Sequence, residues 1–436
     1  MEKLQFDLAQ RQGPFKCLNA VNGGPIHKRH ATDQYRSNME TYTAARIPFA
    51  RNNDSGCYGI YGGPYSHDID KIFRNFDADE YDPESYDFEN TDEAILTALD
   101  AGARTFFRLG QTIEHHVKKH GTLPPKDFKK WAVICEHIIR HYTEGWKNGL
   151  HLDMPYWEIW NEPDLDPIPT VHRRTWGGTD EQFFDLYEIT AKHLKSCFPH
   201  LKIGGPSLAW RLEWAELFLP EMKKRGVEID FFTWHCYHYD PLKVAEKADA
   251  IQALLDKYGY GHAENILNEW GYIKGWREEF VYSLMAMHGI KGAAYMMAVI
   301  SLAQKGPIDM LMYYSTLPNT FNGAFDFYTL QPLKGYYPLK WYGSFYDLEA
   351  YVPQLNETHH VYSLCGVDAQ GKATCVVTCY NDDDAAEDVQ VAVDFGRQGA
   401  YEVYLLDEDH DGELLGEYTE LSFTLKHNAC LLIKEK

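Results

Sequence analysis

Two glutamates end apolar, aromatic-rich runs in the same way. Tyr156-Trp157-Glu158-Ile159-Trp160-Asn161-Glu162-Pro163 finishes in an Asn-Glu pair followed by a proline, and Ile266-Leu267-Asn268-Glu269-Trp270 repeats the Asn-Glu pair beside a tryptophan. Runs of this composition read as strands, and a proline argues against their continuation, so each carboxylate stands at a strand's carboxyl end. A single such carboxylate is ordinarily a surface group. Two of them, each beside tryptophan and separated by helix-length intervals, meet a specific chemical demand. Hydrolysing a glycosidic bond with retention needs one protonated carboxyl to donate to the leaving oxygen and one ionised carboxylate to attack the anomeric carbon, about 5–5.5 Å apart. Glu162 is assigned as acid/base and Glu269 as nucleophile, with burial beside Trp160 and repulsion from Glu269 favouring the protonated form of Glu162.

Groups in such roles need a rigid frame. Strand-like and helix-like segments alternate along most of the chain, the pattern of a parallel sheet with helical crossovers. Eight strands are expected, at 15–22, 47–52, 104–109, 156–161, 202–205, 230–235, 265–268 and 292–298. Between them lie amphipathic segments at 33–45, 90–101, 127–148, 180–197, 210–224, 242–258 and 276–288, with an eighth helix at 338–348. The expected fold is therefore α/β, a (β/α)8 TIM barrel spanning residues 13–350, whose strand tips carry catalytic groups. Glu162 and Glu269 then fall on the fourth and seventh strands, across the barrel from each other. From 351 to 436 the pattern changes to short alternating runs (361–365, 373–380, 389–395, 401–406, 421–425 and 429–433), read as a small antiparallel β-sandwich. Residues 1–12 alternate likewise, and this N-terminal strand is expected to join the sandwich.

The composition excludes several function classes. A net charge of −22 is unsuited to binding a phosphate backbone. No run of 18 or more uncharged apolar residues suggests a spanning helix, so neither nucleic acid nor membrane is expected as a partner. The first residues lack an apolar targeting segment, and the nine cysteines are odd in number and scattered, which reads as reduced thiols. A cytoplasmic location is the expectation. Neither a cofactor nor a metal is expected. His115, His116 and His120 lack a zinc-protease pattern, Cys375 and Cys379 lack a zinc-ribbon spacing, and the calcium-loop-like stretch Asp407–Asp411 has Tyr418 at its twelfth position and reads as a hairpin turn.

With these motifs in place the chain resembles clan A glycoside hydrolases, and within them family 39, which includes β-xylosidases and α-L-iduronidase. Trp160-Asn161-Glu162-Pro163 resembles the clan's acid/base motif, Asn268-Glu269-Trp270 its nucleophile strand, and Trp234-His235-Cys236-Tyr237 the sixth strand of family 39. Residues 15–25 resemble the family's opening strand and 321–325 the segment before its last helix. The resemblance implies that Asn161 bonds a sugar 2-hydroxyl, that Tyr237 contacts the nucleophile and that Arg51 keeps it ionised. Asp54, His235, Trp270, Arg108 and Tyr314 complete the expected substrate-binding set. Two positions depart from the family pattern. Arg51-Asn52-Asn53-Asp54 stands where Arg-x-His-Asp is usual, and Arg108 stands where a Glu is common. An added cation suits either a uronic acid or an ion pair with an acidic neighbour; the ion pair is the preferred expectation.

The function implied is exo-acting, retaining removal of a terminal sugar, β-xylosidase-like, from short oligosaccharides, in a protein that can also form a homo-oligomer. An endo-acting or uronide-specific hydrolase of the same clan, and a carbohydrate-binding protein with a decayed site, are the alternatives.

Overall fold

The protein is described here by a computed structural model covering residues 1–27, 29, 36–52, 67–167 and 173–436. After β1 (Glu2–Gln5), eight parallel strands close a barrel: β2 (Cys17–Asn22), β3 (Phe49–Arg51), β4 (Arg104–Leu109), β5 (Tyr156–Ile159), β6 (Lys202–Leu208), β7 (Phe231–Tyr237), β8 (Glu264–Gly271) and β9 (Met310–Tyr313). Among the helices around it are α1 (Met39–Ala44), α2 (Ile69–Ile72), α3 (Glu89–Asp100), α4 (Phe128–Glu144), α5 (Asp180–Cys197), α6 (Leu212–Lys224), α7 (Pro241–Lys257), α8 (Phe280–His288), α9 (Ile290–Lys305) and α10 (Tyr336–Phe345). Their starts follow from local chemistry. Thr179 and Gln182 form a reciprocal capping box on α5, and the Asp240 side chain caps α7 with Pro241 at its first position.

One expected strand is a helix. Residues 292–298 lie inside α9, and the eighth barrel strand is β9, further along the chain. The reason is burial on every side: Gly292 through Ser301 are all buried, with α9 packed between the barrel and the sandwich. A helix buried all round has no polar face, so its apolar run loses the 3.6-residue period and imitates a buried strand. The other seven expected strands coincide with β2 to β8, with ends shifted by a few residues.

The remaining strands are β10 (Ala350–Val352), β11 (Val361–Val367), β12 (Ala373–Cys379), β13 (Val389–Asp394), β14 (Tyr401–Leu406), β15 (Asp411–Tyr418), β16 (Ser422–Leu425) and β17 (Cys430–Glu435). They form a six-stranded antiparallel sheet, β10-β11-β12-β17-β14-β15, facing a smaller sheet, β1-β13-β16, in which the N-terminal strand runs parallel to β13. Leu4, Cys375, Val377, Val391, Val403 and Leu431 are among the residues buried between them. The stretch from Asp407 to Asp411 is the hairpin turn between β14 and β15. Eight cysteines are free thiols, buried or half-buried; Cys57 lies outside the described residues.

The sandwich is keyed to the barrel rim by its acidic turn. Tyr272 donates to Asp382 Oδ1 at 2.6 Å, Lys274 pairs with Asp382 Oδ2 at 2.7 Å, and Lys291 donates to the Asp382 carbonyl at 2.7 Å and pairs with Asp384. Tyr272 and Lys274 directly follow β8, so the turn braces the loop after the strand that carries Glu269. Hydrogen bonds to charged groups contribute about 1.5–3 kcal/mol. Asp382→Ala is therefore expected to lower the thermal midpoint, at a cost of roughly 1–3 kcal/mol; an unchanged midpoint would show that the turn merely rests on the rim.

Candidate active site

The barrel interior is layered by the two-residue period of its strands. Ala20, Phe49, Phe106, Tyr156, Phe231 and Ile266 form an apolar floor together with Met310 and Met312. Two residues further along each of the first six strands named stands a polar group: Asn22, Arg51, Arg108, Glu158, Thr233 and Asn268. Successive side chains alternate between faces, so inward-facing apolar positions dictate the next inward position, one layer nearer the carboxyl ends. The site is built on that second layer.

Arg51 is its centre, with no exposed side-chain surface. Its Nε donates to Glu158 Oε2 at 2.7 Å. Nη1 donates to Asn22 Oδ1 at 3.1 Å and Glu269 Oε1 at 2.7 Å, and Nη2 to Asn161 Oδ1 at 2.8 Å and Ser207 Oγ at 2.9 Å. A guanidinium has five N–H donors, and all five are used. Burial opposes its charge, but Glu158 and Glu269 more than compensate and hold its pKa above the usual arginine value. Glu269 also accepts from Tyr237 Oη, at 3.0 Å on Oε2, so both of its oxygens are held. Asn268 donates to Glu158 Oε1 at 2.7 Å, and the Asn22 amide donates to the Asn268 carbonyl at 2.7 Å.

Glu162 reaches the same place by a strained route. Past the end of β5, Trp160 and Glu162 have φ of 71° and 49°, and Ser207 on β6 has φ of 62°. Left-handed backbone is costly for residues with a Cβ and persists only where surroundings enforce it. Here they do. Glu162 N donates to the Ser207 carbonyl at 2.9 Å, Thr175 Oγ1 to the Glu162 carbonyl at 2.6 Å, and Trp160 Nε1 to the Thr175 carbonyl at 2.9 Å. Asp164, two residues on, accepts the backbone N–H groups of Ala209, Trp210 and Arg211 at 2.7, 3.1 and 2.9 Å, tying this loop to the one after β6. The result places Glu162 Oε1 at 2.8 Å from His235 Nδ1, with Glu269 Oε2 at 3.4 Å from the same nitrogen. A carboxylate oxygen of Glu162 lies within 4.8 Å of one of Glu269. His235 is neutral near pH 7, because burial depresses its pKa to about 4 although Glu269 pulls it upward.

Seven of the expected residues thus meet around one cleft: Glu162, Glu269, Asn161, Arg51, His235 and Tyr237, with Tyr314 on its wall. The Tyr314 ring lies 6.2 Å from that of Tyr237 and 6.1 Å from that of Phe321, and the exposed Trp276 stands 5.5 Å from Tyr237. Asp54 and Asn53 lie outside the described residues. Arg108 pairs with the buried Asp68 at 2.8 Å and donates to the Gln111 carbonyl at 2.6 Å, the ion pair preferred above.

Trp270 requires a correction, since it does not line the cleft. Its ring is buried against Tyr295 of α9 and Tyr313, behind the strand. The register explains why: Trp234 pairs with Leu267 but His235 with Glu269, so Asn268 is an extra residue on β8. That bulge lets Asn268 and Glu269 both face inward and turns Trp270 to the back. Glu158, Ser207, Asn22 and Asn268 were not anticipated as part of the site. Glu158 carried a usable signal, being a charged residue two positions after an inward aromatic in an otherwise apolar strand. Among the described residues, the clusters with ligand atoms close enough for a metal are Glu162-His235-Glu269 and Glu136-His193-Cys197. In the first, Glu269 is already held by a guanidinium; in the second, Glu136 pairs with Arg140 at 2.7 Å.

Comparison with known proteins agrees with this fold. The family model described as glycosyl hydrolases family 39 matches residues 44–266, just over half of the chain. A β-xylosidase of Caldicellulosiruptor saccharolyticus is 29% identical over 197 residues, 42% of this chain and 37% of that protein. One of Geobacillus stearothermophilus is 31% identical over 180 residues, 38% and 33% of the respective lengths. The matches thus span about a third of the length of these relatives. Among solved structures, a glucosidase from Croceicoccus marinus superposes with a TM-score of 0.79 at 22% identity, covering 100% of this chain and 99% of the other. A monomeric β-xylosidase from Caulobacter crescentus CB15 gives 0.72 at 15% identity, with the same coverage. At these identities the structures establish a shared fold.

Two stability predictions follow from the buried charges. Arg51→Met leaves Glu158 and Glu269 without their cation and is expected to cost about 3–5 kcal/mol, the range for breaking a buried pair; a thermal midpoint within error of wild type would contradict the network. The second concerns pH. The unfolded chain protonates His235 near the ordinary imidazole value of 6.5 while the folded one resists down to about 4, and burial and Arg108 hold His67 lower still, at about 3. Their stabilising contribution is complete above pH 6.5 and is lost as pH falls through about 4 for His235 and about 3 for His67. Unfolding free energy of His235→Gln should depend less steeply on pH across that window than wild type; an identical slope would show that His235 does not titrate as its burial requires.

Proposed function

The chain belongs to glycosyl hydrolase family 39, and from that premise we propose that it is a retaining exo-glycosidase that removes a terminal, β-xylose-like sugar from short oligosaccharides by double displacement. The observation that carries this reading is the close approach of two carboxylates, within 4.8 Å, in two different electrostatic settings. Glu269 is paired with a buried guanidinium and a tyrosine hydroxyl, which favour its ionised, nucleophilic form. Glu162 faces a neutral imidazole at 2.8 Å, a setting that suits a group that must hold and release a proton. Such a spacing leaves no room for the water that an inverting mechanism places between its carboxyls, about 6.5–9.5 Å apart.

In the first step Glu269 attacks the anomeric carbon while Glu162 gives its proton to the departing glycosidic oxygen, leaving a glycosyl ester on Glu269. Next, Glu162 takes a proton from water, whose oxygen attacks the same carbon and releases Glu269. Asn161, its Oδ1 held by Arg51, presents its amide NH2 as a donor, and the 2-hydroxyl is the group we assign to it. The β-xylosidase relatives support a pentose of that type. The engagement of Arg108 with Asp68 and the Gln111 carbonyl supports a neutral sugar over a uronic acid, and the cluster of Tyr237, Trp276, Tyr314 and Phe321 rings beside Glu269 offers aromatic faces to a terminal sugar, in keeping with exo action.

A panel of aryl glycosides tests the assignment, the β-xyloside being turned over best and the glucuronide poorly. Glu269→Ala is expected to abolish turnover, with azide restoring part of it by occupying the vacated place. Wild-type rates in that variant would exclude Glu269 as nucleophile. Glu162→Gln should slow poor leaving groups by roughly 10²–10⁴-fold while sparing activated ones, because only the former need the proton; equal losses on both would point to a structural role.

A further inference from the structure

A network of donors and acceptors behind Glu162 fixes which of its oxygens carries the proton. Ser207 Oγ has two lone pairs and one hydrogen to place. Arg51 Nη2, which can only donate, lies at 2.9 Å. Asn268 Nδ2 lies at 3.2 Å, and that amide cannot be reversed, since the same NH2 donates to Glu158 Oε1 at 2.7 Å. Both lone pairs are thus taken. The hydroxyl hydrogen has two acceptors in reach, His235 Nε2 at 2.8 Å and Asn268 Oδ1 at 3.5 Å, and the first is far the better placed. His235 Nε2 is therefore an acceptor. Neutral imidazole carries a single N–H, so it must be at Nδ1, which lies 2.8 Å from Glu162 Oε1.

Resting on the assignment of Glu162 as acid/base, we propose that Ser207 and His235 form a tautomer lock: the Ser207 hydroxyl holds the imidazole proton on Nδ1, and Nδ1–H in turn keeps the transferable proton of Glu162 on Oε2. The carbonyl oxygen of a protonated carboxyl is its stronger acceptor, so donation to Oε1 at 2.8 Å favours the hydrogen on Oε2, which becomes the acidic oxygen. After proton transfer the same N–H supports the Glu162 carboxylate until water returns the proton. The surroundings keep the imidazole neutral through this cycle. Glu162 and Glu158 face it from β5 and its extension, Glu269 from β8, and Arg51 from β3. Tyr237 lies on its own strand, and from α7 Lys247 donates to the His235 carbonyl at 2.8 Å. Burial outweighs the acidic groups. Ser207 and His235 are thus positioning residues, acting on the reaction through Glu162.

Without the Ser207 hydroxyl the imidazole can carry its hydrogen on Nε2. Nδ1 would then offer a lone pair to Glu162, which would direct its proton to the histidine and away from the leaving group. The test begins with the wild-type protein, 15N-labelled in its imidazoles, the His235 signals being identified by their loss in His235→Gln. The directly bonded hydrogen is expected on Nδ1 near neutral pH, and finding it on Nε2 would overturn the proposal without any functional variant. In Ser207→Ala the hydrogen is expected to move wholly or partly to Nε2, and the basic limb of kcat/KM to shift upward. Poor leaving groups should lose about tenfold more than activated aryl glycosides, short of the roughly 10²–10⁴-fold that proton donation itself supplies. A general loss of packing would lower all rates alike and leave both tautomer and pH limb in place, and that outcome also overturns the proposal. An Nδ1–H signal in a wild-type protein that cleaves no glycoside would instead remove the glycosidase reading, and with it the role of the lock, while leaving the hydrogen-bond assignment intact.

Discussion

A fully buried guanidinium at the centre of a barrel has to be surrounded on every side by acceptors, and most of what is particular about this site follows from Arg51. Its planar fork presents five donors, and the chain supplies acceptors from β2, β5, β6 and β8 to meet them. Lysine, a point charge with three donors, would leave part of that set unmet. Two of the acceptors are anionic, so the cluster carries one more negative charge than positive. The surplus is accommodated by neutral donors: Tyr237 on Glu269 and Asn268 on Glu158. Buried pairs contribute little net stability when weighed against an apolar core of similar volume, but losing one partner is severe. Arg51 therefore reads as a device that fixes geometry, holding the Glu269 carboxylate in place at the cost of a structure dependent on every member.

The constraint spreads outward through the backbone. Three non-glycine residues adopt left-handed conformations around this network, Trp160, Glu162 and Ser207, and each is held by hydrogen bonds from a neighbouring loop. A bulge at Asn268 brings two consecutive side chains of β8 to the same face. These departures from regular strand geometry are what convert an ordinary layered barrel interior into one where two carboxylates approach within 4.8 Å. The sandwich then braces the rim through Asp382 and Asp384, so the loop following Glu269 is supported from outside the barrel as well.

The sequence made the barrel legible because seven of its strands end in recognisable places and its helices are amphipathic and capped. The eighth strand was misplaced for a physical reason: α9 is enclosed between barrel and sandwich, and enclosure erases the polar face that would have marked it as a helix. The two glutamates were legible from composition and position. Arg51, Asn161, His235 and Tyr237 entered through a family resemblance, and the structure brings them to the same cleft. Trp270 misled because residue spacing cannot reveal a bulge, and one inserted residue exchanges the faces of everything after it. Ser207 stayed hidden since its importance lies in contacts with residues distant in sequence, whereas Glu158 was marked by its charge within an otherwise apolar strand and was passed over. Arg108 shows the opposite case, where an unusual cation is explained by a local carboxylate, Asp68.

The central claim is that Glu269 and then water attack one anomeric carbon, each with proton transfer by Glu162, so that its configuration inverts twice. Proton NMR of the first sugar released from an aryl β-glycoside, recorded before mutarotation equilibrates it, examines this directly. The account predicts that the β-anomer forms first and the α-anomer grows in later. Initial formation of the α-anomer would mean a single displacement by water, and would contradict the assignment of Glu269 as a nucleophile held in readiness by Arg51.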